Sequence, residues 1–237
     1  MNTFEKSYRH ELKYLISENT ARLLKHKLRS VMKKDPHYDG YYNIRSLYFD
    51  DIYHTAYHDK IDGIIDRSKY RIRVYNLEDI YISVEIKGKH NDLSYKKKDI
   101  INKKEYSYLI KKEYDKIKIG DRKILDKLIF DIKNKNLVPM VIVDYQRLAY
   151  VYELEDTRIT FDEEIKSSRF NYDLFDKNLP LFNVLEPNEI LIEIKFNERL
   201  PYVIKQLLKE VYMTNIGLSK YALCMEKKGI DLWCFWV

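Results

Sequence analysis

The sequence predicts an α+β protein built on an antiparallel β-barrel of about eight strands, with helices packed outside it. Three observations predict it. Apolar and polar residues alternate with period two in several separate segments, as in Tyr70, Ile72 and Val74 against Lys69, Arg71 and Arg73. The polar side of those segments is made mostly of Lys, Arg and Glu rather than Thr, Ser or Gln. The chain holds 22 Tyr against 6 Gly and 5 Pro, a balance that favours strands over loops.

The elements follow in order. Residues 7–16 alternate Tyr8, His10, Leu12, Tyr14 and Ile16 with Arg9, Glu11 and Lys13, which gives a strand with one apolar and one charged face. Ser17 is a ready N-cap for a helix over 18–34, where Ala21, Leu24, Leu28 and Val31 recur at helical spacing. Further strands are predicted at 43–49, 69–75, 80–89, 94–101, 138–151, 157–162 and 190–196. Helices are predicted at 103–112 and 121–133, broken by Gly120, and at 200–212 and 218–228. Residues 162–188 read as a long irregular connection. With no linker rich in Gly, Ser or Pro, one domain over 1–237 is expected.

Charge narrows the function. There are 43 Lys and Arg against 37 Asp and Glu, a formal excess of +6 that is too mixed for a nonspecific nucleic-acid binder. No apolar run approaches the roughly 18–20 residues of a membrane span, and the N-terminus has no secretory stretch. The two cysteines, Cys224 and Cys234, suit a reducing compartment, so a cytoplasmic location is expected. There is no Gly-rich phosphate loop, no zinc-spaced Cys pair and no Gly-x-Ser-x-Gly elbow. His54 and His58 are four apart but lack a third ligand. The apolar tail at 232–237 is expected to dock on the domain, with a membrane surface or a protein partner as the alternative.

Each charged face taken alone reads as a solvated one. If eight such strands closed on themselves, the charged faces would share a lumen. Its cations would need interleaved carboxylates and a polyanionic ligand, and phosphate oxygens suit Arg and Lys donors best.

Seven segments carry a resemblance: Arg9-His10-Glu11-Leu12-Lys13-Tyr14, then Ser46 to Asp50, Lys69 to Arg73, Glu85-Ile86-Lys87, Tyr145 to Ala149, Ile192 to Lys195, and Leu218-Ser219-Lys220-Tyr221. Together, in order and from about residue 7 to 226, they resemble the VTC domain. That is the polyphosphate polymerase branch of the CYTH-like triphosphate tunnel metalloenzymes. The wider superfamily opens with Glu-x-Glu-x-Lys, and here Arg9 stands in the place of the first Glu.

The resemblance implies a triphosphate tunnel fold and an inorganic polyphosphate polymerase. ATP and polyphosphate would be the partners, Mn²⁺ or Mg²⁺ the cofactor, and nucleic acid no partner. Lys220, Arg71, Arg73 and Lys87 would act on the transferred phosphate. Lys13, Lys96, Lys98, Arg147, Arg158, Lys195 and Ser219 would bind phosphates. Glu193 would hold the metal, with Glu11 and Glu85 as further candidates. The plain alternatives are an ordinary ion pair for Glu193 and Lys195, a counter-charge role for Glu11 beside Lys13 or Arg9, and a helix cap for Ser219. The alternatives for the whole are a tunnel triphosphatase and a non-catalytic polyphosphate-binding module.

Overall fold

The computed structural model describes residues 9–227, apart from 37, 39, 92, 154, 155, 169, 170 and 218. The apolar tail at 232–237, Cys234 and Leu218 lie outside the described residues. In chain order the strands are β1 (His10–Ser17), β2 (Lys33–Lys34), β3 (Tyr42–Asp50), β4 (Asp66–Tyr75), β5 (Glu78–His90), β6 (Leu93–Ile101), β7 (Val138–Tyr152), β8 (Thr157–Ser168), β9 (Phe182–Asn183), β10 (Glu189–Phe196) and β11 (Thr214–Asn215). The helices are α1 (Glu18–Leu28), α2 (Thr55–Ile61), α3 (Lys103–Ile110), α4 (Lys123–Lys135), α5 (Tyr202–Lys209) and α6 (Lys220–Lys227). No helix is long and apolar enough to cross a membrane.

The α+β class and the antiparallel sheet agree with the sequence pattern, but the closed eight-stranded barrel does not. The described residues form eleven strands in an open path, β11-β1-β10-β8-β7-β3-β4-β5-β6, with β2 and β9 pairing at the side. Three of these strands are two residues long and carry no periodicity to read. At the seam, β11 takes the edge of β1 at Tyr14 and Leu15, and β6 meets the start of β1 through an isolated bridge, Arg9 to Ser94. The two backbone bonds of that bridge are 3.3 and 3.2 Å long.

The curled sheet sorts its side chains by parity, as period two requires. Ile72, Val74, Ile82, Val84 and Ile86 face outward and are buried under α3 and α4 through Leu109, Leu125 and Leu128. Ile192, Ile194, Ile159 and Phe161 are buried under α1 and α5 through Leu24, Leu28 and Ile204. The helices are expected outside the sheet, with Ser219 and Lys220 on the last of them turned to the phosphates at one mouth, and α6 lies on the inner side. It packs on the concave face through Tyr221, Ala222, Cys224 and Met225, against Tyr48, Val141, Val143, Tyr145 and Leu191. The helix thus plugs one end of the concavity and carries Lys220 into it.

Element boundaries shift for local reasons. Ser17 caps α1 through its hydroxyl, but α1 stops at Leu28, and the chain turns so that Lys33 and Lys34 can pair with β7. The stretch read as irregular from residue 162 holds the rest of β8, which continues to Ser168 past a residue with positive φ, Glu164. Helix α2 had no sequence reading. Its first turn is held by Asp50 at the end of β3, whose carboxylate accepts from Ala56 N at 2.9 Å and Tyr57 N at 3.1 Å.

Candidate functional site

The concave face encloses a cavity of about 390 Å³. Arg9, Lys13, Lys69, Arg71, Arg73, Lys87, Lys96, Arg147, Arg158, Lys195 and Lys220 line it, eleven basic side chains against Glu11 and Glu193. The same parity that buries the outward residues aims these inward. Lys69, Arg71 and Arg73 alternate along β4, Glu11 and Lys13 along β1, and Glu193 and Lys195 along β10. Strand register then sets the rungs: Lys69 lies opposite Lys87 and Lys87 opposite Lys96, while Lys13 lies opposite Glu193. A second cavity of about 310 Å³ adjoins the first through Glu11, Lys13, Lys69, Lys87, Ser94 and Ser219, and adds Lys60, Arg67 and Lys89.

Carboxylates hold most of these cations. On the β8–β10 side, Arg147 donates to both oxygens of Asp162 at 2.6 and 2.7 Å and to Glu193 at 3.3 Å. Lys220 donates to Glu193 at 2.7 Å and also pairs with Asp162. Lys195 stands 3.3 Å from Glu193. Burial opposes the charge of Glu193, but Lys220, Lys195 and Arg147 outweigh it and hold its carboxyl well below the usual range. Lys87 donates to both oxygens of Glu11 at 3.1 Å, and Lys13 pairs with it at the same distance. Burial opposes ionisation of Glu11 too, and its lysines overcome it. Arg71 donates to Glu85 at 2.7 Å and to the Tyr48 hydroxyl at 3.2 Å. Arg158 pairs with Asp35 and donates to the Tyr42 hydroxyl at 3.1 Å.

Two cations of the lining have no carboxylate within 4 Å among the described residues. Arg73 donates to Ser46 Oγ at 3.1 Å and to the Tyr145 hydroxyl at 3.2 Å. Lys69 donates to Ser219 Oγ at 2.8 Å and lies 5.6 and 5.0 Å from the ring centres of Tyr48 and Tyr221. Burial, reinforced by Lys87, Lys13 and Arg71, holds the Lys69 ammonium well below the usual lysine range.

Of the residues singled out from sequence, Lys13, Arg71, Arg73, Lys87, Lys96, Arg147, Arg158, Lys195, Ser219, Lys220, Glu193 and Glu11 all line this cavity. Lys98 does not. It shares the face of Lys96 but donates to the Tyr81 hydroxyl at 2.6 Å and is exposed. Glu85 lies behind Arg71 and is fully buried. Three contributors have no site role from sequence: Lys69, although it opens the Lys69 to Arg73 segment, Asp162 and the tyrosine hydroxyls. Lys69 shares the parity of Arg71 and Arg73, which is a signal that could have found it. His54 heads α2 and His58 lies within it, with no third ligand beside them. No group of three or more His, Cys, Asp or Glu able to hold a metal occurs among the described residues.

The divalent metal that the sequence resemblance implies would need oxygen ligands from this face. The donor set here fits one such mode. Glu11 and Glu193 face one cavity and each feels the other's charge, but both are already engaged by lysines and no third acid joins them. A pair of carboxylates suits a hard cation that completes its oxygen shell with substrate phosphates rather than a protein cage.

A family model described as VTC domain matches residues 8–228. No curated protein matches the chain. Among solved structures, the PH1819 protein of Pyrococcus horikoshii OT3 is similar over 93% of this chain and 99% of its own, at 15% identity and a TM-score of 0.50. A candidate adenylate cyclase from Vibrio parahaemolyticus is similar over 92% and 98%, at 10% identity and a TM-score of 0.51. At these identities the likeness is one of fold.

Proposed function

The chain belongs to the VTC domain family, and on that premise we propose that it is an inorganic polyphosphate polymerase. It would transfer the γ-phosphoryl group of ATP to a polyphosphate end and release ADP. The observation that carries this reading is the lining itself, eleven basic side chains on one enclosed face, which Glu11 and Glu193 in the lining and Asp162, Glu85, Asp35 and Asp156 behind it are too few to balance. Such a face is costly to keep without a polyanion, because like charges repel and lose hydration together.

Phosphoryl transfer asks the protein mainly for positioning and charge stabilisation. Arg71 and Arg73 stand two residues apart on β4, pre-oriented by Glu85, Tyr48, Ser46 and Tyr145, and would neutralise the equatorial oxygens of the transferred group. Lys220 is fixed between Glu193 and Asp162 and would orient the leaving or attacking phosphate. Lys13, Lys87, Lys96, Lys195, Arg147 and Arg158 would bind the other phosphates of nucleotide and chain. A divalent cation held at Glu193 and Glu11 would supply charge neutralisation between phosphate oxygens.

The test is purified protein with ATP and Mn²⁺, resolved by electrophoresis for long phosphate chains. Chains that disappear in Glu193→Gln, while tripolyphosphate binding persists, support the reading. Orthophosphate as sole product across Mn²⁺, Mg²⁺ and a short primer overturns it in favour of a triphosphatase.

A further inference from the structure

Lys69 and Ser219 meet at the junction of the two cavities, and both line each of them. Ser219 Oγ is 2.8 Å from Lys69 Nζ and accepts the backbone N–H of Ala222 at 3.2 Å. In that arrangement Ser219 Oγ accepts from both Lys69 and Ala222, and once Lys69 is uncharged the same 2.8 Å contact lets the hydroxyl proton pass to the lysine. No carboxylate competes for Lys69 within 4 Å among the described residues, unlike Lys87, Lys195 and Lys220. A serine hydroxyl bonded to a lysine that can accept its proton is an activated nucleophile. Its surroundings, Lys13, Lys87 and Lys60, would stabilise a phosphate ester formed there.

We propose that Ser219 is itself a phosphoryl acceptor, phosphorylated by a phosphoanhydride bound in the cavity, with Lys69 as the base. The inference rests on the reading of this cavity as a phosphoanhydride site and goes beyond it, because the acceptor is the protein. In the step, Ser219 Oγ attacks the terminal phosphorus and forms an O–P bond. The bond from that phosphorus to its bridging oxygen breaks, and the shortened phosphate leaves with the electron pair. The hydroxyl proton passes to Lys69 Nζ. The lowered proton affinity of Lys69, caused by burial and by Lys87, Lys13 and Arg71, favours the uncharged amine that the step needs. The phosphoserine would then stand inside the lining, where a chain could start.

The experiment incubates the full chain with Mn²⁺ and either ATP or tripolyphosphate, then measures intact mass and maps the modified peptide. The expected result is one phosphoryl group on Ser219, stable to acid, in at least one arm. Label in both arms identifies any phosphoanhydride as donor, and label with ATP alone identifies a nucleotide. Lys69→Arg keeps a cation but cannot take the proton, so labelling should slow about a hundredfold while tripolyphosphate binding persists. Labelling of Lys69→Arg at the wild-type rate overturns the base. An acid-labile label, or one on another residue, overturns the acceptor. Turnover of ATP without any label on Ser219 overturns this inference and leaves the polymerase reading intact. The absence of both turnover and label overturns both.

Discussion

On the β8–β10–α6 wall of the cavity, Asp162 and Glu193 hold Arg147, Lys195 and Lys220 in one ionic cluster. On the β3–β4 wall, Arg73 and Lys69 are held by hydroxyls of Ser46, Tyr145 and Ser219. The two walls therefore stand in different electrostatic states before any ligand arrives. The first is neutralised internally, so its charges order the site but have little Coulomb attraction to spare. The second keeps its attraction for an incoming anion. Removing a carboxylate from the first wall should hurt folding, and removing a cation from the second should hurt binding.

The largest effect is expected at Asp162, which is fully buried between Arg147 and Lys220. Asp162→Asn leaves both cations short of a counter-charge, and breaking a buried pair in this way costs about 3–5 kcal/mol. A urea denaturation midpoint lowered accordingly, with the slope unchanged, fits the comparison. A loss below about 1 kcal/mol would mean that Glu193 alone holds the cluster.

Arg73→Gln is the reciprocal test on the other wall. No acid is orphaned, so stability should change little. Tripolyphosphate affinity should fall about tenfold to a hundredfold, as expected for one charge-assisted bond of about 1.5–3 kcal/mol. Titration calorimetry on the folded variant reads this directly. Unchanged affinity would move the anion site to the first wall.

How far the site was legible follows from parity. Arg71 and Arg73 stood out because β4 alternates cleanly, and Lys69 has the same parity and opens the same segment but has no site role from sequence. Asp162 shares the parity of Arg158 and Thr160 but stands at the end of the predicted strand at 157–162, where the long irregular connection is predicted to begin. The seven residues of α2 are too few to show a helical repeat, and Asp50 from another element holds its first turn. Asp35, the partner of Arg158, lies in a loop that alternation does not describe. The two residues of β11 at the edge of β1 are a pairing made by tertiary structure alone.

A pH series sharpens the comparison with a smaller signal. Lys69 faces Lys87 on β5, Lys13 and Glu11 on β1, Arg71 on its own strand, Tyr48 on β3, and Ser219 and Tyr221 at α6. Burial first, then those cations, lowers its proton affinity in the folded chain, whereas the unfolded chain keeps the proton up to the usual lysine range, near 10.4. Between the two values the unfolded state binds more protons, so stability of the ligand-free protein should rise with pH. Anion affinity should fall over the same window as the charge is lost. Lys69→Arg should abolish that part of both slopes. Lys195, which burial pushes down to about 8, would leave a second limb in place.

The smallest effects are expected on β6, where Lys96 and Lys98 share a face but not a destination. Lys96 lines the cavity, lies opposite Lys87, and its Nζ is 3.8 Å from Glu85. Its side chain is 46% exposed, so water screens any phosphate contact it makes. Such a contact is worth on the order of 1 kcal/mol or less. Lys96→Ala should therefore weaken the hold on a long chain modestly and shorten the products, with single phosphoryl transfer less affected. Lys98, bonded to the Tyr81 hydroxyl outside the lining, should give no change in product length. Electrophoresis of products from the two variants side by side separates parity from position. If Lys98→Ala shortens chains as much as Lys96→Ala, the phosphate path continues out along β6 past Tyr81, and the cavity lining is only its inner part.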